Sequence, residues 1–255
     1  MTSASNPNPT AALLYFFITT TVYFVIKYNI DDKTMLMATI SYILCIILGE
    51  FFINLSLTNE MCGEPHWGTA FSVTAAPWII VFGTFLLLLN LFPSWKIPFA
   101  NTIGYGFALL GGVKKVVTSI FQSPSSSAQP SGLNKAIQHI YRDQSLLINE
   151  IGEGEDKFEE FWKAMSGARK PNTPDTLKNN LKSLVKIKYT VSEYIWYMLT
   201  GILVTSISYN YLVNIGCSNS AKVMLARRDA YKQKQALKLA EEERIKKNTE
   251  RRVVD

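Results

Sequence analysis

Apolar residues in this chain are gathered into long runs, and the length of those runs decides what it can become. A helix that crosses a hydrocarbon core needs about 20 consecutive, mostly apolar residues. Residues 11–26, AALLYFFITTTVYFVI, carry no charge; residues 35–57, MLMATISYILCIILGEFFINLSL, carry only Glu50; residues 70–92, AFSVTAAPWIIVFGTFLLLLNLF, carry none. A fourth run, 97–112, IPFANTIGYGFALLGG, is shorter and glycine-rich and leads into Lys114 and Lys115. A fifth, 190–215, TVSEYIWYMLTGILVTSISYNYLVNI, has Glu193 near its start. One such run is an ordinary buried helix of a soluble protein; several in one chain are not. The expected fold class is therefore all-α: a polytopic transmembrane helical protein with a small polar helical insertion and a charged C-terminal helix. Four spans are expected, and five if residues 97–112 also cross. No strand signal and no tandem repeat competes with this reading.

Overall composition adds little, because a hydrophobic share of 48 % would also suit a soluble domain. A net charge of +6 fits loops flanking anionic headgroups and is too small to argue for nucleic acid, which is not expected as a partner. The N-terminal MTSASNPNPT lacks the basic region of a cleaved signal peptide, so the first run is expected to stay as a span. The cysteines at 45, 62 and 217 do not make a disulfide framework. Cys62 and Cys217 share a side, and could pair, only with four spans.

The chain divides into a membrane block at 1–121, a linker and polar insertion at 122–189, a last span at 190–217 and a charged tail at 218–255. The linker, QSPSSSAQPSG, has the composition of a flexible connection. Three amphipathic helices follow. Leu133, Ala136, Ile137 and Ile140 make one stripe; Phe158, Phe161, Trp162 and Met165 make another. The third, with Leu177, Leu181, Leu184 and Val185, opens at Thr173 as N-cap, Pro174 and Asp175. These stripes are too few for an independent core and imply a cap that packs on the membrane block, in the interface or on a partner. The tail reads as one solvated helix with a thin seam of Val223, Ala226, Ala230 and Leu237, and Glu242–Lys246 and Glu243–Lys247 are i,i+4 pairs. Val223, Ala230 and Leu237 are the candidate partner-docking positions; a frayed solvated tail is the alternative.

Chemistry-bearing residues are sparse. CGEPHWGTA, residues 62–70, brings together Cys62, Glu64 and His66, but zinc needs four ligands and a nucleophilic cysteine needs an oriented base. Gly63, Pro65 and Gly68 shape a turn, and Trp67 suits the headgroup level, so the segment reads as an interfacial loop. Trp95 and Lys96, between Pro93 and Pro98, are further interface anchors. Gly104, Ala108 and Gly112, spaced by four, are helix-packing positions. Glu50 is an intramembrane carboxylate. Hydrogen bonding to Ser, Thr, Asn or Tyr of a neighbouring helix is its expected role; a channel or transporter built on it is the alternative. NEIGEGEDKFEE, residues 149–160, does not follow a calcium-loop pattern. No catalytic set, metal site or cofactor site emerges, and the chain is not expected to be an enzyme.

Residues 62–107 resemble a membrane protein family of the nucleocytoplasmic large DNA viruses, the group of phycodnaviruses, iridoviruses and mimivirus-like giants. The shared pattern is Cys62-Gly63, Pro77-Trp78, Phe92-Pro93, Trp95, Pro98-Phe99, Asn101-Thr102 and Gly104-Tyr105, and CSNSAKVMLARRDAY at 217–231 is also similar. The resemblance implies a minor capsid or membrane-anchoring protein. Its place would be the virion inner membrane, assembled from host membrane, and its partners the lipid bilayer and other capsid or virion membrane proteins.

Overall fold

A computed structural model of the chain describes residues 9–124, 132–214, 229–230, 232–238 and 244. Among them the secondary structure is helical, with one isolated antiparallel bridge between Phe121 and Arg169. Only Ile30 and Asp31 separate α1 (Thr10–Asn29) from α2 (Asp32–Cys62), so the two form a tight hairpin. α2 has 31 residues, about 46 Å at 1.5 Å per residue. It ends where Gly63 turns left-handed, at φ 77°, and donates its N–H to the Asn59 carbonyl at 2.8 Å.

α3 (Trp67–Leu91) returns along α2. Pro77 lies within it, and Trp78–Phe82 widens into a π-turn. Proline lacks the N–H that the Val73 carbonyl would accept, and a local change of register absorbs that loss. Phe92, at φ −124°, is driven out of helical conformation by the following Pro93. α4 (Pro93–Leu110) carries a second π-turn at Ala100–Gly104, just after Pro98. α5 (Val113–Ile120) leaves it at 82°. Then come α6 (Gly132–Arg142), α7 (Ser145–Ile148), α8 (Glu155–Ala164) and α9 (Asp175–Asn214), whose 40 residues extend about 60 Å.

Contacts fix how the helices run. Phe16 meets Gly201 and Thr21 meets Tyr194, so α1 and α9 are antiparallel. Tyr15 bonds Cys45 and Tyr23 bonds Thr39, so α1 and α2 are antiparallel. Asn54 bonds Thr74, which sets α3 against α2. α2 and α9 are then parallel: Tyr42 lies by Tyr197, and Leu57 shares an apolar cluster with Leu212. The product is a four-helix bundle of α1, α2, α3 and the second half of α9. α4 does not recross it. Trp95, Gly104 and Gly111 meet Trp196, Lys188 and Leu184 in turn, so α4 climbs α9 away from residues 197–212.

Among the described residues three helices, α1, α2 and α3, are long and apolar enough to cross a membrane, and the bent α4–α5 pair gives a fourth at most by composition. The expected span at 190–215 does not meet that measure. Tyr, Ser, Thr and Asn interrupt its apolar positions; one face, with Tyr197, Gly201, Val204, Thr205, Ser208 and Leu212, is buried, while Leu199, Ile202 and Leu203 are exposed. The outward face of α2 shows the opposite pattern: Leu36, Ile40, Leu44, Leu48 and Phe52, four residues apart, are all exposed. A continuous apolar exterior of this kind is compatible with a membrane protein.

At the end of the bundle marked by the α1–α2 turn, α5 to α8 and the first half of α9 build a second core. Val117, Phe121, Ile148, Phe158 and Leu181 are its buried centre. The expected stripes supply much of it: Ile137, Ile140, Trp162, Leu184 and Val185 are buried, although Ala136 is exposed. The side chain of Leu133 lies outside what is described. The core exists because Val113, Val117, Ile120 and Phe121, with Tyr189 further along α9, complete it, which the three stripes alone could not do. Thr173 departs from its expected capping role. Its hydroxyl donates to the Lys170 carbonyl at 2.8 Å and shapes the turn before the helix instead.

Candidate functional site

The loop after α2 lies at the bundle end opposite the cap. Gly63 supplies the turn, and the His66 N–H donates to Thr58 Oγ1 at 3.1 Å, which pins the loop to α2. Trp67 is 59 % exposed, with its ring 5.9 Å from that of Phe51. Cys62 is buried and disulfide-bonded, so its thiol is not available as a nucleophile, whereas Cys45 is free. Cys217 lies outside the described residues. His66 Nε2 stands 4.0 Å from the Glu64 carboxylate. No group of three or more His, Cys, Asp or Glu able to hold a metal ion occurs among the described residues.

Glu50 is fully buried in the bundle, and neither carboxylate oxygen has a hydrogen-bond partner among the described residues. The expected bond to a neighbouring helix is therefore not made. Asn54 and Thr74, the nearest turn of polar residues along α2 and α3, bond to each other at 2.8 Å instead. Register identifies the neighbours of Glu50. The pairs Tyr42/Tyr197 and Leu57/Leu212 share one offset, which puts Thr205 level with Glu50. The Asn54–Thr74 pair, one turn away, puts Trp78 at the same level on α3. Trp78 Nε1, Thr205 Oγ1 and Ser208 Oγ are also buried without partners among the described residues. Four side chains from three helices thus converge with unmet hydrogen-bonding capacity. Sequence reading found only Glu50, because the others are unremarkable residue types whose convergence depends on register.

The small-residue positions divide. A Cβ on Gly104 would lie 2.2 Å from the Lys188 carbonyl, and Ala108 is fully buried, so both permit the close approach of α4 to α9. Gly112 does not pack: nothing lies within 4 Å of its Cβ position, and its φ of 91° serves the bend into α5. Gly111 takes the packing place, where a Cβ would lie 2.7 Å from the Leu184 side chain. Two closer approaches went unnoticed in sequence, Gly201 against the Phe16 ring and Gly49 against the Tyr15 ring.

The Trp95 and Lys96 turn joins bundle to cap. Trp95 is 42 % exposed and stacks near Phe92, while its carbonyl accepts the Trp196 indole N–H at 2.9 Å. Lys96 is drawn inward, with 12 % of its side chain exposed, into an ion pair with Glu153 of the cap. It ties the two bodies together. Lys27–Glu193 at 2.6 Å and Lys182–Glu155 at 2.5 Å line the adjoining cleft. Lys182 also holds the Glu155 carboxyl below its ordinary range. Lys188, which sequence reading passed over, is fully buried and donates to the Ile148 carbonyl at 2.8 Å and to Asn101 Oδ1 at 3.3 Å. Of the tail positions, Ala230 and Leu237 are exposed; Val223 and both Glu–Lys pairs lie outside the described residues.

Comparison with known protein families, with curated proteins and with solved structures finds no match for this chain. What the fold defines is a class: an all-helical protein with three apolar helices compatible with a membrane and a polar helical cap.

Proposed function

We propose that the chain is a structural, non-catalytic protein of the internal membrane of a large DNA virus, anchoring the capsid to lipid. The observation that carries this reading is α9. It is a single unbroken helix whose first half completes the core of the cap and whose second half completes the bundle. A body suited to docking on proteins is thereby fused rigidly to helices with lipid-compatible faces. The viral resemblance supplies the setting. Its motif positions fall where the architecture turns or closes: Gly63 ends α2, Pro77 and Trp78 open the π-turn, and Gly104 meets the α9 backbone. The partners are the bilayer and neighbouring capsid or virion membrane proteins, docked through the cap and the tail.

Purified virions stripped of lipid by detergent are expected to lose this protein with the membrane fraction. Its retention in a lipid-free shell would count against anchoring in the bilayer. A channel centred on Glu50 is the competing reading, favoured by the unpartnered carboxylate. Ion flux in reconstituted vesicles that is the same for wild type and Glu50→Gln removes it.

A further inference from the structure

We propose that the bundle holds a water-bearing polar chamber at Glu50, open towards the 63–66 loop and closed towards the cap. The reading is independent of the anchoring role. Its basis is the chemistry of the unpaired atoms. Glu50 offers two acceptor oxygens, Trp78 only a donor, and Thr205 and Ser208 hydroxyls that do either. All four side chains are at least nine-tenths buried, and none reaches another or any described group within hydrogen-bond distance. Leaving such groups dry is costly, and buried water characteristically makes about three hydrogen bonds to groups of this kind. A bare metal cation fits less well, because it would leave the Trp78 N–H unmet. Water donates to the carboxylate and accepts from the indole and hydroxyls.

The access side follows from the helices. Glu50, Asn54 and Thr58 stand four residues apart on α2, all buried, and make one polar stripe that ends at the His66 N–H in the loop. Thr74 on α3 and Ser208 on α9 face the same stretch by register. Leu57, Val73 and Leu212 form an apolar rim beside it. In the other direction the polar groups are already paired, Thr20 with Tyr42 at 2.9 Å and the Tyr15 hydroxyl donating to the Cys45 carbonyl at 2.7 Å, and aromatic rings close in around them. Phe16 lies 5.6 Å from Trp78, Phe82 lies 5.0 Å from Trp78 and 5.5 Å from Tyr197, and Tyr42 lies 6.0 Å from Tyr197. These rings form a layer between Glu50 and the cap. The chamber is a one-sided inlet, distinct from a through pore.

Hydroxyl-radical footprinting by X-ray radiolysis tests this, because radicals born from internal water mark the side chains beside it. The full-length protein in lipid vesicles is irradiated, and modification is read by mass spectrometry at Trp78, with exposed Trp67 and buried Phe82 as references. Trp78, only 3 % exposed, is expected to be modified well above Phe82. Asn54→Leu is expected to lower that modification several-fold while Trp67 is unchanged. Thr205→Val is the second variant, removing a hydroxyl level with Glu50 without touching the inlet, and serves alone if Asn54→Leu does not fold. Trp78 left unmodified at a dose that marks Trp67 overturns the chamber. Modification of Trp78 that neither variant lowers overturns the assignment to these residues.

Discussion

Lys188 has its ammonium held by a loop carbonyl and an amide oxygen, deep between α4, the cap and α9. Burial pushes it down from 10.5 to about 8. Between those two values the unfolded chain binds this proton and the folded chain does not, so stability rises with pH across that window. Below it both states are charged and the full cost of burial is present. Lys188→Met abolishes this contribution. Unfolding of both proteins at pH 7.5 and 10.5 is expected to show wild type gaining on the variant at the higher pH. An identical gap at both would mean that Lys188 does not titrate there. Gly104 tests the same contact from the other helix. Gly104→Val must move the Lys188 carbonyl away from a new Cβ, an overpacking expected to cost about 1–3 kcal/mol, seen as a lowered unfolding midpoint. Gly112→Ala strains a left-handed backbone instead, without touching a neighbour.

Elements meet through few polar ties, and the Lys96–Glu153 pair is the one that links the α3–α4 turn to the cap. Truncating one partner of a largely enclosed charged hydrogen bond costs about 1.5–3 kcal/mol. Lys96→Ala is therefore expected to speed amide exchange across residues 145–165 while leaving α1 and α2 protected. Equal exchange in both proteins would show the cap held by its apolar core alone. That core was partly legible in sequence. The stripes around Ile137, Trp162 and Leu184 follow helical periodicity, which any reader of the chain can count. The contribution of Val117 and Phe121 was not, since they follow the last glycines of an apolar run and look continuous with it. Thr173 misled for a local reason: a hydroxyl before Pro174 can serve a preceding carbonyl as readily as a following N–H.

At the scale of the molecule, the exposed apolar rows on α1, α2 and α3 make a soluble monomer a poor description of the surface. The expressed full-length protein is expected to stay with membranes through an alkaline carbonate wash. Its release would reduce the apolar faces to a protein–protein interface. The same wash on Glu50→Gln is expected to give the same result, since the chamber lies inside the bundle and not on its lipid face.

The sequence by itself determined the class of fold: long, nearly uncharged runs without a strand's alternation satisfy their backbone groups as helices once water is excluded, and their lengths match a bilayer. It also determined the stops at Gly63 and Pro93 and the π-turns beside Pro77 and Pro98, since glycine and proline act on their own backbone. Tertiary structure decided which runs lie side by side. Residues 97–112 and 190–214 both mix apolar with polar positions, yet one climbs away beside the cap and the other closes the bundle, because Gly104 and Gly201 fit different neighbours. It also decided that Glu50, Trp78 and Thr205 share a level, with Ser208 one turn away. That convergence depends on the register between helices far apart in the chain, and register is set by packing, which no local pattern encodes.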